Sequence, residues 1–129
     1  MVQRIQATGL DEFPGTIRLI EVVEGNFGPQ YHLELVPTDK DLIKGKTGAF
    51  HEYIRITPKA TDAEVPEGSI LDLYLREVES TFKEAKKAET VLDALNCMKG
   101  KKIVFRKKIL GKAFGGHNAS EHWVPVKLA

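Results

Sequence analysis

Four histidines, one cysteine and a glycine-rich loop are the residues whose types could support catalysis or metal binding in this 129-residue chain. His32, His51, His117 and His122 are scattered over three strand-like segments and a loop. They form neither H-E-x-x-H nor any other close spacing that places metal ligands on one element, and C-x-x-C is absent. Cys97 is the single cysteine, so it makes no internal disulfide and no cysteine-based zinc site, which points to a reducing compartment. Neither G-x-S-x-G nor G-x-x-x-x-G-K-[ST] occurs. The Phe114–His117 run FGGH is followed by strand-like sequence, so it does not lead a phosphate-cradling loop into a helix. The reading is a non-enzyme with no cofactor and no metal. What the chain does offer is aromatic rings interleaved with cations. Unpaired bases stack on such rings for about 1–3 kcal/mol each while Lys and Arg follow the phosphates.

The charge is distributed unevenly. Net charge is +1, yet Lys99–Ser120 holds seven basic residues and no acidic one, leaving 12 basic against all 18 acidic residues elsewhere. A mildly acidic body with one basic segment suits a single face that meets a polyanion. The same segment also reads as a solvated strand pair whose lysines guard an edge. The length fits one domain, 1–129, able to bury a core without disulfides or metal. The opening MVQRIQATG has no apolar h-region and no run reaches membrane-span length, so the expectation is a cytoplasmic protein with no membrane partner.

The elements that must position these groups follow from periodicity. Met1–Gly9 reads as a short strand or a loose arm. Gly15–Val36 reads as two strands around the turn GNFGPQ, with Tyr31, Leu33 and Leu35 alternating against His32 and Glu34. Phe27 lies near the tip of that turn, either as part of a binding surface or folded back to plug an end of the core. Residues 38–48 read as a loop. His51–Thr57 is a third strand with Ile54 and Ile56 inward and Tyr53 and Arg55 outward. Ser69 with Asp72 predicts a capped helix carrying Ile70, Leu73, Tyr74, Val78 and Phe82 at helical spacing, and Lys83–Glu89 frays from it. Thr90 with Asp93 predicts a second, short helix through Met98, stopped at Gly100. Lys101–Leu110 is a fourth strand, with Arg106 and Lys108 opposite Ile103 and Phe105. His122–Leu128 is a fifth, with Val124, Val126 and Leu128 on one face and Trp123, Pro125 and Lys127 on the other.

The first strand, the G-x-[FY]-G-P-Q turn, the alternating second strand and the later MKGKKIVFR passage resemble OB-fold single-stranded DNA-binding proteins of the phage and archaeal replication type. The likeness runs from about Gly15 to Leu128. It implies a mainly β fold, a five-stranded Greek-key barrel with a helical insertion at about 69–99 between strands three and four. It also implies a non-catalytic binder of single-stranded DNA with weak sequence preference, acting in DNA replication, recombination or repair at a nucleoid or viral replication site. Single-stranded RNA is an alternative ligand. A protein-interaction domain in a replication or repair complex is the alternative class.

Such folds bind on the face of strands two and three, framed by the loops between strands one and two and between strands four and five. Carried onto this chain, the interface is Phe27, His32, Tyr53, Arg55, Arg106, Lys108, Lys112, Phe114 and Trp123. Simpler roles stay open for several of them. Tyr53 could close the barrel end, Trp123 could pack under the helix, and Arg55 could pair with Glu34.

Overall fold

The computed structural model describes residues 11–26, 28–42, 48–111 and 120–129. Five strands, β1 (Glu12–Gly25), β2 (Gly28–Pro37), β3 (Phe50–Arg55), β4 (Ile103–Leu110) and β5 (Ser120–Leu128), form one antiparallel sheet in the order β3-β2-β1-β4-β5. Two helices, α1 (Ile70–Thr81) and α2 (Val91–Asn96), lie between β3 and β4 in the chain. The strand count, the mainly β class and the position of the helical insertion match the expectation. The expected N-terminal strand or arm, Met1–Gly9, lies outside the described residues.

Both helix starts form as their side chains dictate. Ser69 Oγ accepts from the Asp72 N–H at 3.1 Å, and the Asp72 carboxylate reaches back to the Gly68 N–H at 2.8 Å. Thr90 Oγ1 accepts from the Asp93 N–H in the same way. Between the helices, Lys83–Lys87 tightens into a 3₁₀ turn, the expected fraying. Helix α2 stops at Asn96, short of Met98, and Gly100 takes a left-handed φ of 78° in the turn that follows. Tyr74, Val78, Leu71, Leu95 and Met98 pack from the helices onto Phe13, Leu33, Leu35, Ile54, Ile103 and Phe105 of the sheet.

β1 is long enough to serve two partners: Glu12–Gly15 pairs with β4, and Gly15–Gly25 pairs with β2. Its register slips between Ile17 and Leu19, where Arg18 is the extra residue of a bulge. The bulge lets Ile17 and Ile20, three apart, both face the core, and it leaves Arg18 exposed on the other side. A strand of strict period two could not do both.

The expected barrel is not closed by backbone pairing, because β3 and β5 do not form a ladder. Side chains take the place of one. Glu52 of β3 accepts from the Trp123 N–H at 2.8 Å through Oε2 and pairs with His122 Nδ1 through Oε1. The Tyr74 hydroxyl of α1 donates to the Trp123 carbonyl at 2.7 Å, and Thr81 Oγ1 donates to the Pro125 carbonyl at 3.1 Å. Pro125 has no N–H to satisfy, as suits an edge position. Helix α1 therefore covers the edge of β5.

The outward placement of Trp123 is corrected by the same contacts. Its ring is 7% exposed and packs on Phe13 and Phe50, with centroids at 4.8 and 5.6 Å. The core packs on β5 while α1 covers its edge, so His122, Trp123, Val124 and Pro125 are all buried and alternation is lost. A second register shift, at Val126, turns the end of the strand, and Leu128 is 57% exposed where an inward face was expected.

Burial pushes the Glu52 carboxyl above its ordinary value of 4.5, against the opposing hydrogen bonds and charge of His122 and the Trp123 N–H. A carboxyl raised on folding contributes its full stability below 4.5 and loses it as pH climbs through the folded value. Wild-type stability measured against Glu52→Gln by urea denaturation should therefore fall as pH rises above 4.5. Glu52→Ala, which strands both the Trp123 N–H and His122, should cost about 2–4 kcal/mol. Glu52→Gln keeps an acceptor and should cost less.

Candidate functional site

Strand pairing sets three cross-strand rows on the outer face of the β1–β2–β3 region. Glu21, His32 and Tyr53 form one row, Leu19, Glu34 and His51 the next, and Val23, Gln30 and Arg55 the third. Directly paired residues share a face, so each row brings its side chains together. The His32 ring lies 4.7 Å from Tyr53 and 5.1 Å from His51 between centroids, tilted by only 10° and 14°. His51 and Tyr53 are 6.4 Å apart at 18°. The result is a patch of three nearly parallel rings.

A chain of hydrogen bonds fixes this patch. His32 Nδ1 lies 3.0 Å from Glu21 Oε1, and His32 Nε2 lies 2.8 Å from His51 Nδ1. An ionised carboxylate only accepts, so it assigns the proton of a neutral His32 to Nδ1 and leaves the Nε2 lone pair facing His51. Next to this chain Arg18 holds Glu34 through Oε2, with Nε and Nη2 both at 2.7 Å. His32 is buried, whereas Tyr53 is 46% exposed, and His51 and Arg55 are also exposed. The inner ring is locked and the outer rings face water.

Of the expected interface residues, His32, Tyr53 and Arg55 come together on this face. Arg55 stands opposite Gln30, and the Glu34 partner suggested for it is taken by Arg18. Arg106 and Lys108 do not join the face. They lie on β4, separated from β3 by β2 and β1 in the sheet. Arg106 pairs with Glu12 at 2.7 Å, and Lys108 reaches Glu77 of α1 at 3.0 Å. Trp123 is buried with Lys107 Nζ 4.9 Å over its ring. Phe27, Lys112 and Phe114 lie outside the described residues.

The basic segment changes meaning accordingly. Lys101 is paired with Glu84 and Lys107 with Glu121 at 4.0 Å, so four of the seven cations there, counting Arg106 and Lys108, have acidic partners from other parts of the chain. The asymmetry along the sequence is largely cancelled in space.

Glu21, Glu34, His51 and Arg18 are site residues that the sequence reading passed over. His32 with Glu34, and His51 with Tyr53, stand two apart on their strands, and that spacing already places each pair on one face. The histidines read from sequence as scattered; His117 lies outside the described residues, and the other three form two settings. His32 and His51 share the outer face. His122 bridges Glu52 and Ser120, whose Oγ lies 2.5 Å from His122 Nε2.

His32→Ala removes a buried ring together with its partners' hydrogen bonds, and should lower unfolding free energy by about 1–3 kcal/mol. Tyr53→Ala removes a half-exposed ring and should lie within about 1 kcal/mol of wild type. Urea denaturation followed by circular dichroism checks both, and the contrast makes Tyr53 the position where binding can be separated from folding.

No family model, no curated protein and no solved structure matches this chain.

Proposed function

We propose that this protein is a non-catalytic binder of single-stranded nucleic acid, in the first place DNA, of OB-fold type and with weak sequence preference. The observation that carries the reading is the array of near-parallel rings on the outer face of β2 and β3, with Tyr53 and Arg55 both open to solvent on that face. A base stacked on Tyr53 extends a stack that His32 and His51 have already begun, and stacking accepts any base. The Arg55 guanidinium meets phosphate, which positions the strand without reading its sequence. A partly open five-stranded barrel accommodates a β3–β5 gap spanned by side chains, so the absent ladder is compatible with an OB-type fold. Replication, recombination and repair are the processes in which such a binder serves.

In this reading the Ser120–His122–Glu52 chain belongs to the β3–β5 gap. Its order matches a nucleophilic relay, and covalent labelling of Ser120 by a fluorophosphonate probe would overturn the non-catalytic part. The paired cations of β4 favour a second reading, a protein-interaction domain in a replication or repair complex, since a cancelled charge attracts polyanions weakly.

Titration of labelled oligo-dT at low salt decides between them. Saturable binding is expected, with Tyr53→Ala weakening it by about 1–3 kcal/mol. Arg55→Ala should reduce the dependence of log affinity on log salt by about one unit, more than Lys108→Ala does. Competition with oligo-U separates DNA from RNA. Absence of saturation at micromolar protein, or affinity indifferent to both salt and Tyr53→Ala, would end the nucleic-acid reading in favour of the second.

A further inference from the structure

The outer face carries a donor set that base stacking does not require. His32 and Glu34 are two apart on β2, and His51 stands opposite Glu34 on β3, so the three side chains leave one face from the corners of a small triangle. One ligand atom from each lies within 4.8 Å of the other two. Two imidazole nitrogens and a carboxylate oxygen form the mixed donor set preferred by borderline transition ions, with typical bonds of about 2.0–2.2 Å. On these grounds we propose that His32, Glu34 and His51 bind one divalent transition-metal ion of the zinc class, with Glu21 as the residue that positions His32.

The orientation of His32 separates this cluster from a chance meeting of polar groups. Glu21 occupies Nδ1 at 3.0 Å, which fixes the ring and directs the Nε2 lone pair at His51 Nδ1, 2.8 Å away. A carboxylate behind the far nitrogen is the arrangement that orients metal-binding histidines and raises their basicity. The two facing nitrogens are slightly closer than the roughly 3.3 Å spanned by two donors on one tetrahedral ion, and rotation of the exposed His51 ring opens that gap. The ion takes the place of the hydrogen bond between the two rings. Arg18 meets Glu34 through Oε2, and the carboxylate has a second oxygen to offer. Water fills the remaining coordination on the solvent side. The site stands independently of the nucleic-acid reading, because none of its ligands needs a strand to complete it.

Cobalt(II) titrated into the full chain tests this, followed by its visible d–d absorption and then by displacement with zinc. An equimolar complex is expected. His51→Ala and Glu34→Gln should each lower cobalt affinity about tenfold or more, and Glu21→Gln, which keeps an oxygen acceptor for His32, should lower it about 10–100-fold while lowering the metal-free melting temperature less than His32→Ala does. In the wild type, zinc should shift the imidazole ¹⁵N resonances of His32 and His51 and leave those of His122 in place. The proposal is overturned if excess cobalt produces no d–d band, if His51→Ala combined with Glu34→Gln retains full affinity, or if the zinc-dependent shifts fall on other histidines.

Discussion

Along the outer edge of β5, side chains from β3 and α1 bond the backbone groups of Trp123 and Pro125. A buried backbone group left without a partner costs about 1–3 kcal/mol, and among the described residues β5 has no strand on that side to supply partners. Glu52 takes the Trp123 N–H, Tyr74 the Trp123 carbonyl and Thr81 the Pro125 carbonyl, while Pro125 has no fourth group to satisfy. Two of the three bonds come from α1, so the helical insertion acts as the missing edge. Tyr74 can do this only as a neutral phenol. Burial, reinforced by the nearby Glu52 and Glu77 charges, pushes its pKa well above the ordinary value and keeps the donor in place.

This edge also links the core to the candidate site. Glu52 points inward between His51 and Tyr53, whose side chains point outward, so the residue that ties β3 to β5 fixes the position of the two outer rings. The bulge at Arg18 does the same from β1. It re-phases the strand so that Ile17 and Ile20 both fill the core, and it sets Arg18 over Glu34. A register slip at either place would move side chains to the opposite face and dissolve the ring array along with the packing.

The parts of the fold that were legible in the sequence are those where one face is wet and the other dry. The alternation of β2 and β3 and the Ser69 and Thr90 caps state their own structure, and Tyr53 and Arg55 face outward as that alternation requires. β5 does not follow that pattern, because it is covered on both sides. Trp123 and Val124 are both buried in the same cluster, so their settings are equally apolar and period two carries no information. Pro125 was the available signal, since proline inside a strand marks an edge. The meeting of His51 with Glu34 and His32 was not legible. It depends on the β2–β3 register, which the connection from Thr38 to Ala49 is too long to dictate in the way a two-residue hairpin turn would.

The charge pattern shows why a linear count misleads. Lys101, Arg106 and Lys108 are separated in sequence from Glu84, Glu12 and Glu77 by 17, 94 and 31 residues, yet each pair is within hydrogen-bond range. Pairs as exposed as these contribute little to stability, typically 0–1 kcal/mol. Their larger effect is on the field: each cation is neutralised where it stands, and little long-range attraction from β4 is left. Whatever the outer face of β2 and β3 binds must therefore be recognised at contact distance, by ring faces, lone pairs and individual guanidinium groups. At that range it matters that Glu21 orients His32 and that Arg18 and Glu34 hold each other, because a few tenths of an ångström in those positions decides whether a ligand finds its donors already aligned.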